Sequence, residues 1–302
     1  MTREKPWNHR YLLTNRVKLH YVTQGAGPLM LLLHGFPEFW YSWRHQIPEF
    51  ARDYKVVALD LRGYNDSDKP EPRSAYMMAN FLEDVKGVIE GLGYDRCVLV
   101  GHDWGGMIAW NFAYAYPTWV TQLMVLNIPH PGKFAAGLRT PQQLFRSWYI
   151  FFFQLPVLPE LLLQLNDYQA LEQMLRGMAI NKSAFTEADI EAYKNAFAKP
   201  GALTAALNYY RNLFQPGGMN GRSWGVLEVP TLMIWGEDDI PLGKELTYGT
   251  EKYVQNFRIR YIPDCSHWVQ QEQPQLVNQY MREFLEEWGI GDGADGRIKG
   301  HG

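Results

Sequence analysis

Short, solidly apolar runs recur along the chain, at Leu29 to Leu33, Val56 to Leu59, Cys97 to Val100, Leu123 to Leu126 and Leu232 to Trp235. Runs this short, with no polar alternation, predict strands buried on both faces of a sheet. Arg16 to Val22 alternates instead, which predicts a strand exposed on one face, closed by the turn Gly25-Ala26-Gly27-Pro28. Phe257 to Pro263 reads as a further strand. Between strands the apolar positions take helical spacing: Phe81, Leu82, Val85, Val88, Ile89 and Leu92 form one stripe that ends at Gly93. Further helices are expected after Met107 and from Pro274 to Trp288. Strands alternating with helices predict an α/β fold with a mostly parallel sheet covered on both faces.

From about His130 to Gly225 the texture changes. Buried-strand runs disappear, and amphipathic helical patterns rich in Leu, Tyr, Phe and Gln take over, broken by Pro156, Pro159, Pro200 and Pro216. The expected organisation is a core in two parts, 1–129 and 226–288, with a helical cap at 130–225 inserted between them. A Gly-rich polar tail, 289–302, is expected to be disordered.

Composition narrows the class of partner. The 302 residues are 46% hydrophobic and 15% aromatic, enough for a large core, and the net charge of −3 points to neither nucleic acid nor an anionic membrane. Cys97 and Cys265 lie in apolar settings and read as buried thiols, so a reducing, cytoplasmic setting is expected. The first residues carry no apolar signal segment. The most apolar stretch, Ser147 to Leu158, falls short of the ~18 residues that span a bilayer. Its aromatic part, 148–153, is expected to line a substrate tunnel, the alternative being a surface patch that touches a membrane or a partner.

The chemistry centres on Gly101-His102-Asp103-Trp104-Gly105-Gly106, a small-x-acid-x-small turn between a buried strand and a helix. This is the strand–turn–helix of a nucleophile elbow with a carboxylate at the nucleophile position. A carboxylate there attacks carbon bearing a leaving group and forms an alkyl ester, unlike a serine acyl-enzyme. Asp103, an acid at Asp238 or Asp239, and His267 all follow predicted strands, in the order nucleophile, acid, histidine that typifies the α/β-hydrolase fold. His267 then serves as general base and the acid orients it. Spacing alone leaves Asp238 and Asp239 both open.

The sequence resembles the epoxide hydrolases of the α/β-hydrolase fold from about residue 10 to 288. The resemblance is carried by His34-Gly35-Phe36-Pro37-Glu38, the elbow, Trp235-Gly236-Glu237-Asp238-Asp239 and Ser266-His267-Trp268. Two cap segments add to it, Ser147 to Pro156 and Asn208-Tyr209-Tyr210-Arg211-Asn212, and Lys199-Pro200-Gly201-Ala202-Leu203 is similar to the vertebrate-type membrane-associated members. The resemblance selects Asp239 as the acid and implies that Tyr149 and Tyr210 donate to the epoxide oxygen, with Tyr209 a packing residue. It implies an oxyanion hole from the N–H groups of Phe36 and Trp104, and a substrate site including His34, Pro37, Trp104, Phe152 and Trp268. The implied reaction converts an apolar epoxide and water to a vicinal diol, with no metal or other cofactor. The elbow alone is shared with haloalkane dehalogenases, which usually carry Asn where Phe36 stands and have no use for the tyrosine pair. A non-catalytic ligand-binding module on this scaffold is the alternative of a different class.

Overall fold

The computed structural model describes residues 7–215 and 224–289. Its strands are β1 (His9–Thr14), β2 (Val17–Gln24), β3 (Leu29–Leu33), β4 (Lys55–Leu59), β5 (Cys97–His102), β6 (Val120–Leu126), β7 (Thr231–Gly236) and β8 (Phe257–Ile262). They form one sheet in the order β1-β2-β4-β3-β5-β6-β7-β8, antiparallel at β1, β2 and β4 and parallel from β4 to β8.

The solid apolar runs divide between the two faces as a pleated strand requires. Leu29, Leu31, Leu33, Val57, Leu59 and Leu99 join one core cluster, while Met30, Leu32, Val56, Ala58, Val98 and Val100 join the other. Helices α1 (Gln46–Phe50) and α10 (Pro274–Glu287) pack into the second cluster, and α2 (Met78–Gly91) and α3 (Asp103–Ala115) into the first.

Between β6 and β7 the described residues contain helices and no strand: α4 (Pro131–Gly137), α5 (Pro141–Arg146), α6 (Trp148–Phe152), α7 (Leu158–Glu172), α8 (Glu187–Ala198) and α9 (Ala202–Arg211). Thr186 starts α8 with a reciprocal capping box to Asp189, and Thr140 caps α5. The segment contributes Phe153, Leu203 and Tyr209 to the first core cluster and Phe185, Ile190 and Tyr193 to the second, so it is packed against the sheet layers and not tethered loosely beside them. Its two joints meet at Tyr114, whose hydroxyl contacts His130 Nε2 (3.0 Å) and the carbonyl oxygens of Gly225 (3.2 Å) and Tyr253 (2.9 Å). The rings of Trp224 and Tyr253 pack on His130, and burial pushes its imidazole down to a pKa of about 3.

One expectation is corrected, and one strand was not expected. β2 is not exposed on one face: nearly all of it is buried, because Val17, Leu19 and Tyr21 join one core cluster and Val22 the other, while the polar His20 is bonded to Asp60 (2.6 Å) and His9 (2.9 Å). β1 has no apolar stripe to announce it, since its face is largely exposed, and it is set by a hairpin whose turn residues Asn15 and Arg16 both have positive φ. Both cysteines are free and buried. No helix among the described residues is long and apolar enough to cross a membrane. Apart from Gly289, the expected tail lies outside the described residues.

Candidate active site

The elbow forms because β5 and α3 meet with almost no room between them. A Cβ on Gly105 would lie 2.2 Å from the Leu33 carbonyl oxygen of β3, so only glycine lets α3 start there. Asp103 itself has φ +48°, a conformation costly for a residue with a Cβ and characteristic of a strained functional turn. The turn holds the carboxylate beyond the sheet's carboxyl end, where Phe36 N–H donates to Oδ1 at 2.8 Å. Burial alone would raise the Asp103 pKa, but His267, His102 and that N–H outweigh it and hold the carboxyl below its ordinary value.

His267 follows β8. Its Nδ1–H donates to Asp239 Oδ2 at 2.7 Å, and its Nε2 stands 3.6 Å from Asp103 Oδ2, too far for a direct hydrogen bond. Asp239 is buried and also accepts from Asn127 Nδ2 (2.7 Å) and Leu242 N–H (2.8 Å), whereas Asp238 is exposed. The order of the two acids is therefore resolved by burial: Asp239 is the one beside His267. Desolvation would lower the His267 pKa, yet Asp239 and Asp103 together push it up to about 10.

A second buried carboxylate lies behind this pair, and the sequence reading missed it. Glu38 Oε2 accepts from Gly35 N–H (3.0 Å) and pairs with His102 Nδ1 (2.7 Å), while Oε1 accepts from Gln270 Nε2 (2.9 Å) and Gln271 Nε2 (2.8 Å). His102 Nε2 then donates to the carbonyl of His267 at 2.9 Å. A carbonyl can only accept, so Nε2 carries a hydrogen. One carboxylate thus ties together the turn after β3, the residue before Asp103 and the loop of His267. Gln271 extends the chain into the helical segment, since its Oε1 accepts from Tyr193 OH of α8 (2.8 Å) and from Arg44 (2.6 Å).

Tyr149 of α6 and Tyr210 of α9 face Asp103 from the opposite side, with ring centroids 5.9 Å apart, and all three line the same cavity. That cavity, about 200 Å³, is also walled by Phe36, Pro37, Trp148, Met178, His267 and Trp268. A narrow space of about 20 Å³ lined by Asp103, Tyr149 and Tyr210 shares Trp104, Met107 and Leu213 with a second cavity of about 220 Å³ bounded by Tyr76, Met78, Phe81 and Trp224. Burial first, and then the charge of Asp103, raise both tyrosine pKa values far above the ordinary 10.0, so the phenols keep their protons.

The remaining sites sort as follows. Pro37, Trp104 and Trp268 reach the cavities, and the Trp104 N–H lies in the first turn of α3, where helical N–H groups have no partner within the helix. His34 does not reach them. It is fully buried, with Nδ1–H on the Gly35 carbonyl (2.8 Å) and Nε2 accepting from Leu61 N–H (3.1 Å), so it braces the turn beneath the site and cannot touch a substrate. Phe152 is also corrected: it packs on Trp148, and the neighbouring Phe153 forms the cavity wall. Tyr209 packs as expected, stacked on Phe81 with its hydroxyl donating to the Arg62 carbonyl at 2.7 Å.

Residues 28–274 match the family described as the alpha/beta hydrolase fold. The chain is 46% identical over 279 residues to Epoxide hydrolase 4 of Mus musculus, covering 90% of this chain and 77% of that protein. It is 44% identical over 298 residues to Epoxide hydrolase 1 of Caenorhabditis elegans, covering 95% and 73%. A crystal structure of Bacillus megaterium epoxide hydrolase in complex with an inhibitor matches with a TM-score of 0.87 at 40% identity, over 92% of this chain and 100% of that one. A mutant of that bacterial enzyme, with a TM-score of 0.86, was solved with its product (R)-3-[1]naphthyloxy-propane-1,2-diol.

Proposed function

The chain belongs to the epoxide hydrolases of the α/β-hydrolase fold, and from that membership we propose that it opens apolar epoxides to vicinal diols through a covalent ester on Asp103. The observation that carries the reading is the pairing of an elbow carboxylate with two protonated phenols across one apolar cavity. Epoxide opening makes an alkoxide, and phenols that keep their protons can donate to that oxygen as the carbon–oxygen bond breaks.

In the first step Asp103 forms a carbon–oxygen bond to one ring carbon while Tyr149 and Tyr210 protonate the leaving oxygen. The carboxylate becomes a neutral ester, so His267 loses one of the two charges that raise its pKa. The imidazolium then gives up its proton, which passes through solvent to the phenolate left by protonation of the leaving oxygen and restores the phenol. In the second step the neutral His267, oriented by Asp239, removes a proton from water, and the resulting hydroxide attacks the ester carbonyl. The oxyanion forms on the oxygen facing Phe36 N–H, with Trp104 N–H as the second donor. Collapse releases the diol and restores the carboxylate and the imidazolium. Residues 130–225 act as a cap that supplies the tyrosines and closes the cavity.

The substrate class follows from the walls. Apolar cavities lie on both sides of the Tyr149–Tyr210 pair, which suits aryl or alkyl substituents on the epoxide. The bacterial relative's naphthyloxy-propanediol product is of that kind.

The test is intact mass spectrometry of a His267→Gln variant mixed with styrene oxide, and separately with a bromoalkane. That variant is expected to gain the whole mass of the epoxide and hold it, and the gain is expected to vanish when Asp103 is also changed to Asn. An adduct only from the bromoalkane would assign the site to dehalogenation. No adduct from either, with no diol from a wider epoxide panel, would leave a binding module.

A further inference from the structure

Seventeen large apolar side chains are exposed among the described residues, and ten of them lie between Leu144 and Leu165. Phe145 is 81% exposed and Trp148 62%, and Phe151, Leu155, Leu158, Leu161 and Leu162 accompany them. Polar bonds and ring stacking gather the middle of this stretch at the end of α9. Arg211 binds the carbonyls of Phe153 (3.0 Å) and Leu155 (2.8 Å) together with Glu160 (2.8 Å), which draws the end of α6 and the start of α7 to the end of α9. Exposed Phe214, three residues beyond Arg211, stacks on Phe151.

We propose that this face docks on a lipid surface and takes apolar epoxides from it, a proposal that rests on the epoxide reading for what is delivered but not for the docking. Charge argues for lipid as the occupant. Between Leu144 and Leu165 only Arg146 and Glu160 are charged, and both are paired within the protein, Arg146 with Glu245 (3.6 Å) and Glu160 with Arg211. The face therefore brings no unpaired charge into an apolar layer, while exposed Arg139 precedes it in sequence and is suited to headgroup phosphates. Position argues the same way. Arg146 and Trp148 also line the cavity that ends at Asp103 and His267, so the face is continuous with a mouth of that cavity. A second copy seated there would lie across the mouth, whereas a lipid layer would present it with dissolved apolar solutes.

The experiment is flotation of the full chain with phosphatidylcholine vesicles, with and without anionic lipid, for the wild type and for Phe145→Glu/Leu158→Glu/Leu161→Glu. None of the three positions lines a described cavity, so the variant is expected to keep its melting temperature and its rate on styrene oxide in buffer. The wild type is expected to float, and the variant to lose at least about tenfold of the bound fraction, because binding scales with the apolar area inserted. Its rate on a long-chain alkyl epoxide dissolved in the vesicles should fall while the rate in buffer holds. Absence of flotation by the wild type overturns the proposal, as does flotation that the three charges leave unchanged. Self-association broken by the variant, without vesicle binding, also overturns it and assigns the face to a second copy. Vesicle binding lost in the variant, with no diol from any epoxide, would sustain docking and remove the epoxide reading instead.

Discussion

Tyr149 and Tyr210 reach Asp103 from two different helices, and neither has a charged partner that would lower its pKa. On the proposed reading, each change to Phe removes one donor from the leaving oxygen. Tyr149→Phe and Tyr210→Phe are each expected to slow ester formation by about 100-fold or more, the lower end for a positioned general acid. The check is the rate of adduct growth in the His267→Gln background, and an unchanged rate for both would refute their role as donors. That Asp103, His267 and one acid of the Asp238–Asp239 pair would converge was legible because each follows a strand; which acid turns inward was not, since the two neighbours differ only in burial. Glu38 was not legible, for its partners His102, Gln270 and Gln271 are far along the chain and a lone Glu after a turn carries no pattern. His34 was misread because a histidine beside the oxyanion turn looks available in one dimension, while in space both ring nitrogens are spent on the backbone.

The elbow depends on α3 lying against β3 as closely as backbone allows. Gly105→Ala places a methyl group 2.2 Å from a β3 carbonyl oxygen, where no flexible side chain can yield. The variant is expected to lose about 1–3 kcal/mol of stability, typical of forced overpacking, measured as a lower midpoint in urea. An unchanged midpoint would mean that α3 can slide. Among elements, the parallel strands were readable because burial on both faces writes itself as continuous apolar sequence. β1 was not, since an exposed edge strand held by a hairpin turn needs no apolar face. The helices of the insert were foreseen as a texture, but not which aromatic of the 148–153 run would turn inward, as neighbouring positions on a short helix differ only in azimuth.

At the scale of the whole molecule, the His267 site couples folding to pH. The ordinary value of 6.5 is raised to about 10 in the folded state, so folding favours the protonated form. That contribution is complete below pH 6.5 and is lost as pH rises through about 10. The stability advantage of the wild type over His267→Gln should therefore shrink across that interval in thermal melts. A difference that stays constant from neutral to alkaline pH would show that Asp103 and Asp239 do not hold the proton there. Such coupling could not be read from the sequence, because it arises from three groups brought together from the ends of different strands.

The Tyr114 hydroxyl bridges the chain on either side of the helical segment. His130 and Gly225 touch the same residue of α3, so on the proposed reading of 130–225 as a cap both of its ends are held at one point beside the sheet. The tyrosines and much of the cavity wall belong to that block, while Asp103, Asp239 and His267 lie outside it. Replacing that block would therefore change the cavity wall and, on the proposed reading, the donors to the leaving oxygen together, while the nucleophile, its acid and the histidine keep their places.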